Sequence, residues 1–317
     1  MPGPAIGIDV GGTRTSALLV DRDGSVLARD ERPTPADDQR AILATMIAGA
    51  KAVADDRVVG VGVAAAGLVD RDGVLRYAPN LAWREAPLTP EVEQALGVPT
   101  VADNDVAAAA WGEYLHGAGR GSSQMLLVSV GTGIGGGLVL DGRPFRGANG
   151  FAAEIGHVVV EPGGPRCGCG NLGCWEQVAS GTTISRAGRL AAARHAHSTL
   201  RELAGGDPDR VTGAMVTEAA REGDTVSRGI LVEVGHRLGV GIAGLVNVLD
   251  PDLVVIGGGA SAAGDLLIAP ARDAFRRSVE GVEHRPHVPI ERAALGNDAG
   301  AIGAAALVFD RVGGAAA

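Results

Sequence analysis

All three cysteines of this chain, Cys167, Cys169 and Cys174, fall between Glu154 and Glu176, with His157 upstream of them. An odd trio so closely spaced cannot form a complete disulfide framework. Three thiolates and one imidazole do make a Cys3His set, which fills the tetrahedral shell of a structural zinc. Four protein ligands leave no open position for water or substrate, so such an ion would act as a clamp. The competing reading is three ordinary buried thiols in a glycine-rich loop. Two carboxylates flank the set: Glu154 lies just ahead of His157 and Glu176 just after Cys174. A bound ion contributes enough free energy to order such a loop, and carboxylates held this way suit a ligand bearing several hydroxyls.

A second centre of chemistry is Val101-Ala102-Asp103-Asn104-Asp105. It reads as the end of a strand entering a helix at Val106. Asp and Asn are preferred helix N-caps, so Asp103 or Asn104 could serve only that purpose. Asp105 would project from the helix tip, where a carboxylate can take a proton from a hydroxyl attacking a phosphoryl group.

Three glycine loops could receive phosphates, at Gly11, Gly131 and Gly257. Gly131, Gly133 and Gly136 match the spacing of a dinucleotide fingerprint. The match leads into another strand and an Asp-Gly turn instead of a helix, so that reading fails. Successive backbone N–H groups between strands still form an anion-binding concavity without a lysine. With Asp9 placed to hold Mg2+ through water, the loops favour a nucleoside triphosphate.

The elements that must position these groups alternate. Strands are expected over Ala5–Val10, Ser16–Val20, Ser25–Asp30, Val58–Ala64, Pro99–Ala102, Met125–Val130, Leu138–Leu140 and Asp252–Ile256. Helices are expected over Ala36–Ala54, Val106–His116, Thr183–Ala196, Thr212–Glu222, Thr225–Leu249 and Gly300–Val312. That alternation means an α/β chain. The sequence of strand, glycine loop, strand and Asp-Gly turn occurs twice, at residues 5–24 and 125–142, which suggests an internal duplication with one copy per lobe.

The bulk numbers narrow the classes. With 317 residues and 46% hydrophobic content the chain can bury a large core. A net charge of −9 argues against sequence-independent nucleic-acid binding. Lys51 is the sole lysine and sits in an Ala-rich helical stretch, which removes Walker-type, protein-kinase and Schiff-base chemistry. The first residues lack a signal-peptide pattern, and no apolar run is read as membrane-spanning, so the expectation is a cytoplasmic protein without a membrane partner.

Together the segments Asp9-Val10-Gly11-Gly12-Thr13, Asn104-Asp105, Gly131-Thr132-Gly133-Ile134-Gly135-Gly136-Gly137, Glu154-Ile155-Gly156-His157, the Cys167–Glu176 signature and Gly257-Gly258-Gly259 resemble the ROK family of sugar kinases and repressors. Within it the chain looks most like the bacterial ATP-dependent glucokinases, through Pro79-Asn80-Leu81-Ala82-Trp83 as well. The match covers essentially the whole chain. Its cysteine-glycine signature is highly specific, whereas single glycine loops are not.

The resemblance implies an actin-like (ribonuclease H-like) two-lobed α/β fold with a deep interlobe cleft. Residues 1–105 with about 300–317 would form the small lobe, and 106–299 the large lobe carrying the zinc loop. It further implies phosphorylation of glucose to glucose 6-phosphate, with Asp105 as general base on the sugar 6-hydroxyl. Asn80, Asn104, Glu154, His157 and Glu176 would bind the other hydroxyls. Asp9, Gly11, Gly12, Thr13, Arg14, Gly131, Thr132, Gly133, Gly257, Gly258 and Gly259 would hold ATP and Mg2+. His157, Cys167, Cys169 and Cys174 would hold the zinc, with one His157 nitrogen on the metal and the other on the sugar.

Two positions depart from the family pattern: Arg14 stands where many members have lysine, and Ala107 where asparagine is common. Related kinases for fructose, mannose or N-acetylmannosamine share this site. The family's repressors carry a helix-turn-helix ahead of the first glycine loop, and only a handful of residues precede that strand here. Members are commonly homodimers or homotetramers.

Overall fold

The structure is a computed structural model that describes residues 3–79, 81–195 and 198–314. The chain forms two compact units: Met1–Leu127 with Gly136–Ala153 and Ala294–Ala317, and Val128–Gly135 with Glu154–Ala293.

The first unit is built on β1 (Ala5–Val10), β2 (Arg14–Val20), β3 (Val26–Pro33), β4 (Val61–Ala65) and β8 (Thr100–Asn104), in the order β3-β2-β1-β4-β8. The β1–β2 and β2–β3 pairs are antiparallel, and β1–β4 and β4–β8 are parallel. Side chains alternate across a strand, and β1 shows what that does. Ile6, Ile8 and Val10 face one way, into a cluster with Ile42, Met46 and Ala50 of α1 (Gln39–Val53). Burying each such aliphatic side chain contributes about 1.5–3 kcal/mol. The alternate residues, Ala5, Gly7 and Asp9, face α10 (Ala299–Gly314). A β-carbon at Gly7 would stand 1.8 Å from the Ala301 carbonyl oxygen, and one at Gly62 of β4 would stand 1.9 Å from that of Ala304. Backbone thus lies directly on backbone, and α10 covers this face of the sheet.

Helix α3 (Asp105–His116) joins the same layer: a β-carbon at Gly303 of α10 would meet the Ala108 carbonyl at 1.7 Å. The buried Glu113 carboxylate fixes the far end of α3, accepting the N–H groups of Ala118, Ala294 and Leu295. For this reason the first unit includes α3, further along the chain than the boundary at residue 105 expected from the sequence.

A small antiparallel sheet, β5 (Leu68–Val69), β6 (Leu75–Tyr77) and β7 (Arg84–Ala86), precedes α2 (Leu88–Leu96). Strand and helix patterns this short carry little periodicity, and neither is foreseen from sequence. A further sheet has the order β11-β10-β9-β12-β13, with β9 (Gln124–Val130), β10 (Ile134–Leu140), β11 (Arg143–Pro144), β12 (Leu253–Gly257) and β13 (Ile290–Arg292). Strand β10 begins at Ile134, earlier than expected, and takes in Gly135–Gly137. Gly137 is small because α3 packs against it, with Ala110 Cβ 2.4 Å from where its β-carbon would be.

In the second unit α5 (Gly181–Arg194), α6 (Thr199–Leu203), α7 (Gly213–Arg221) and α8 (Thr225–Leu249) share a core that includes Ile184, Leu200, Val216, Leu231 and Leu267, the last from α9 (Asp265–Ser278). The one-turn α4 (Glu176–Ala179) precedes them. Helix α9 is missing from the sequence expectation, although its buried Leu267, Ile268, Ala271, Ala274 and Phe275 recur at helical spacing; Pro270 inside it reads as a helix breaker. One expectation is corrected here. Helix α8 is long and apolar enough to cross a membrane, by length and composition alone. Its Leu231, Val234, Leu238, Ile242 and Val246 are buried within this unit, as in a core helix.

Candidate active site and metal centre

In the first unit, Asn104 resolves the capping question. Its Oδ1 accepts the N–H groups of Val106 and Ala107, at 2.9 and 3.0 Å, while its Nδ2 donates to the Gly67 carbonyl at 3.1 Å. Asn104 is therefore the N-cap of α3, and Asp103 is not. The Asp103 Oδ1 accepts the Asn104 N–H at 2.8 Å, and its Oδ2 lies 2.9 Å from Arg146 Nε. Arg146 also donates to the Asp70 carbonyl at 3.0 Å. The cap leaves Asp105 as the first helical residue, partly exposed at the tip. Desolvation holds its carboxyl above the ordinary carboxylate range, which strengthens it as a base.

Asp9 ends the alternate face of β1, and its carboxylate packs against Gly300 in the first turn of α10. Burial, and then the negative charge of Asp105, push its carboxyl up to about 7, against a lowering by Arg14. A bound divalent cation would favour the charged form, so the residue suits the Mg2+ role. Gly11, Gly12, Thr13 and Arg14 form the turn from β1 into β2, where the Gly11 N–H donates to the Arg14 carbonyl at 2.9 Å. Asn80 lies outside the described residues.

In the second unit, the ligand atoms of His157, Cys167, Cys169 and Cys174 all lie within 4.8 Å of one another. Cys169 and Cys174 Sγ are 3.6 Å apart, as are Cys167 Sγ and His157 Nδ1. A tetrahedral zinc with sulfurs at about 2.3 Å separates them by about 3.8 Å, so the set fits the ion. Burial pushes the Cys167 thiol up to about 12 and also raises Cys174, while the Asn171 N–H lowers Cys169. Zinc binds thiolate, so loading it would release protons. The loop is ready to receive an ion: Cys167 N–H donates to the Asn171 carbonyl and Gly170 N–H to the Cys167 carbonyl. His157 turns Nδ1 toward the sulfurs, leaving Nε2 3.8 Å from Glu154 Oε2. One nitrogen thus faces the metal position and the other a carboxylate.

Glu176 opens α4, with Oε1 3.0 Å from Cys167 Sγ and 4.0 Å from His157 Nδ1. The second unit therefore brings Glu154, His157 and Glu176 together around the cysteine centre. The Gly131–Gly133 loop is fastened from α5, whose Gly181 N–H donates to the Gly131 carbonyl at 2.8 Å and whose Thr182 hydroxyl donates to the Thr132 carbonyl at 2.6 Å. Gly258 adopts a φ of 77° with the Val130 backbone against it, ending β12 in the third loop.

Sequence reasoning missed Arg146, Gly300 and Thr182. Only Thr182 left a local trace, in the capping residues Ser180-Gly181-Thr182.

The family model described as "ROK family" matches residues 5–311. A glucokinase of Streptomyces coelicolor is 40% identical over 310 residues, covering 96% of this chain and 97% of that protein. A glucokinase of Thermotoga maritima is 37% identical over 317 residues, covering 98% of each. Among solved structures, a ROK family glucokinase from Streptomyces griseus in complex with glucose and AMPPNP superposes with a TM-score of 0.88 at 41% identity, over 96% of this chain and 99% of that one.

Proposed function

The chain belongs to the ROK family, and from that premise we propose that it is a glucokinase, moving the terminal phosphoryl group of ATP to the 6-hydroxyl of glucose. The observation that carries this reading is the likeness, in sequence and fold and over nearly the whole of both chains, to an enzyme captured with glucose and AMPPNP.

Asp105 is the general base. Its carboxylate accepts the proton of the sugar 6-hydroxyl as that oxygen bonds to the γ-phosphorus, while the bond to the bridging oxygen breaks and its electron pair leaves with ADP. The N-cap of Asn104 fixes where that carboxylate starts from. Its raised proton affinity suits the task. Asn80, Asn104, Glu154, His157 and Glu176 hold the remaining hydroxyls. Asp9, the Gly11–Arg14 turn and the loops at Gly131–Gly133 and Gly257–Gly259 hold the nucleotide. Mg2+, bound through water at Asp9, would neutralise charge on the phosphates. His157, Cys167, Cys169 and Cys174 would hold the zinc, which would keep Glu176 and His157 in register and take no part in bond making.

The proposal includes a cytoplasmic homodimer or homotetramer without nucleic-acid or membrane partners. Cytoplasmic thiols stay reduced and free for metal, and the exposed Val232, Val240 and Val248 of α8 offer a face for a second copy.

The test is coupled ADP release across a panel of hexoses and hexosamines. Glucose should give the highest kcat/KM. A preference for fructose, mannose or N-acetylmannosamine would instead assign one of the sister activities, and no sugar-dependent ADP release would remove the kinase reading.

A further inference from the structure

Gly133 lies in the turn between β9 and β10, yet it does not adopt a positive φ. Backbone conformation therefore does not demand a glycine there. Space does. A β-carbon on residue 133 would stand 2.2 Å from Glu176 Oε2 and 3.4 Å from its Cδ. At Gly131, in the same loop, a β-carbon would meet nothing within 4 Å. The constraint belongs to position 133 and comes from one side chain.

That side chain has little freedom. Glu176 Oε1 is 3.0 Å from Cys167 Sγ and 3.3 Å from Gln177 Nε2, and only 17% of the side chain is exposed. Its carboxylate is wedged between the cysteine centre on one side and the bare Cα of Gly133 on the other. The loop cannot easily retreat, since α5 holds it through the carbonyls of Gly131 and Thr132. The free end of a glutamate can. An added methyl at 133 would be absorbed by displacing the carboxylate and not by moving the backbone.

We propose that Gly133, whose sequence context places it in the ATP-binding loop, is a positioning residue for the hexose: by having no side chain it leaves the space in which the Glu176 carboxylate is held. The inference rests on Glu176 binding the sugar, and the experiment separates the two.

Glucose affinity of the zinc-loaded protein, from calorimetry without ATP, and KM for glucose and for ATP are measured for Gly133→Ala, Gly131→Ala, Glu176→Ala and the double variant Gly133→Ala/Glu176→Ala. Gly133→Ala should weaken glucose binding measured without ATP by about tenfold to a hundredfold, the loss of hydrogen bonds to a charged group, a larger factor than any change in KM for ATP. Gly131→Ala should leave glucose affinity alone. The double variant should bind glucose no worse than Glu176→Ala, because both remove one interaction. Gly133→Ala/Glu176→Asp, whose shorter carboxylate clears the methyl, should recover part of the affinity and provides a readout should the alanine variant fold poorly. If Glu176→Ala weakens glucose while Gly133→Ala shifts only KM for ATP, the inference is wrong and the sugar role of Glu176 stands. If Glu176→Ala leaves glucose affinity unchanged, that role fails and takes the inference with it.

Discussion

Arg146 places its Nε 2.9 Å from the Oδ2 of Asp103, a carboxylate whose side chain is 3% exposed and which sits just ahead of the capped start of α3. Burial lifts the Asp103 carboxyl to about 6 and Arg146 restrains that rise. The pair joins the strand that delivers Asp105 to the segment that continues on to Glu154.

Arg146→Met leaves Asp103 buried without its cation, which should destabilise the first unit by about 3–5 kcal/mol at pH 8. The Asp103 carboxyl already binds its proton more tightly in the folded than in the unfolded chain, so its contribution to stability declines as pH rises from about 4 to about 6 and stays low above that. Below pH 5 both proteins hold Asp103 protonated, and the gap between them should shrink. Urea titrations of the two proteins at pH 5 and pH 8 measure it. An equal gap at both pH values would mean that the ion pair is not the stabilising contact.

Asp105→Asn should lower kcat by orders of magnitude and leave glucose affinity within a few-fold, because the amide cannot take the hydroxyl proton. The same variant removes a negative charge that raises Asp9, so Asp9 should titrate below 7. Single-turnover kinetics and a carboxyl-labelled NMR titration report the two effects separately.

Arg14→Gln should act through Asp9 in the opposite sense. Arg14 holds the Asp9 carboxyl down, so its loss should raise it above about 7 and move the acid limb of kcat/KM for MgATP to higher pH. The glucose limb should not follow. A pH profile identical to that of the parent would sever Arg14 from Asp9.

Purified protein should carry about one zinc per chain by elemental analysis, and Cys169→Ser or chelation should weaken glucose binding more than ATP binding, since Glu176 Oε1 sits against Cys167. Zinc uptake by the stripped protein should release protons, because Cys167 and Cys174 are held as thiols without it. Full glucose affinity in metal-free protein would contradict the clamp.

Local chemistry was legible in the sequence. The strand over Ala5–Val10, an Asp or Asn cap where a strand runs into a helix, and the cysteine spacing of a loop that folds on one ion could all be read there. Each concerns neighbours whose proximity the covalent chain enforces. The β5–β7 sheet and α2 were not legible, because elements this short carry little periodicity, and α9 was passed over because Pro270 lies inside it, although its apolar residues keep helical spacing.

What the sequence determined by itself was therefore the kinds of groups present and their family: a Cys3His set, an aspartate at a helix start, three glycine loops. Tertiary structure alone decided which of them meet and with what proton affinity. Asp9 is raised to about 7 only because the fold buries it near Asp105, Arg146 is paired only because its loop returns to β8, and Gly133 is constrained only because Glu176 comes to rest on it. Burial and charge proximity are sums over residues distant in the chain, and no local spacing encodes them.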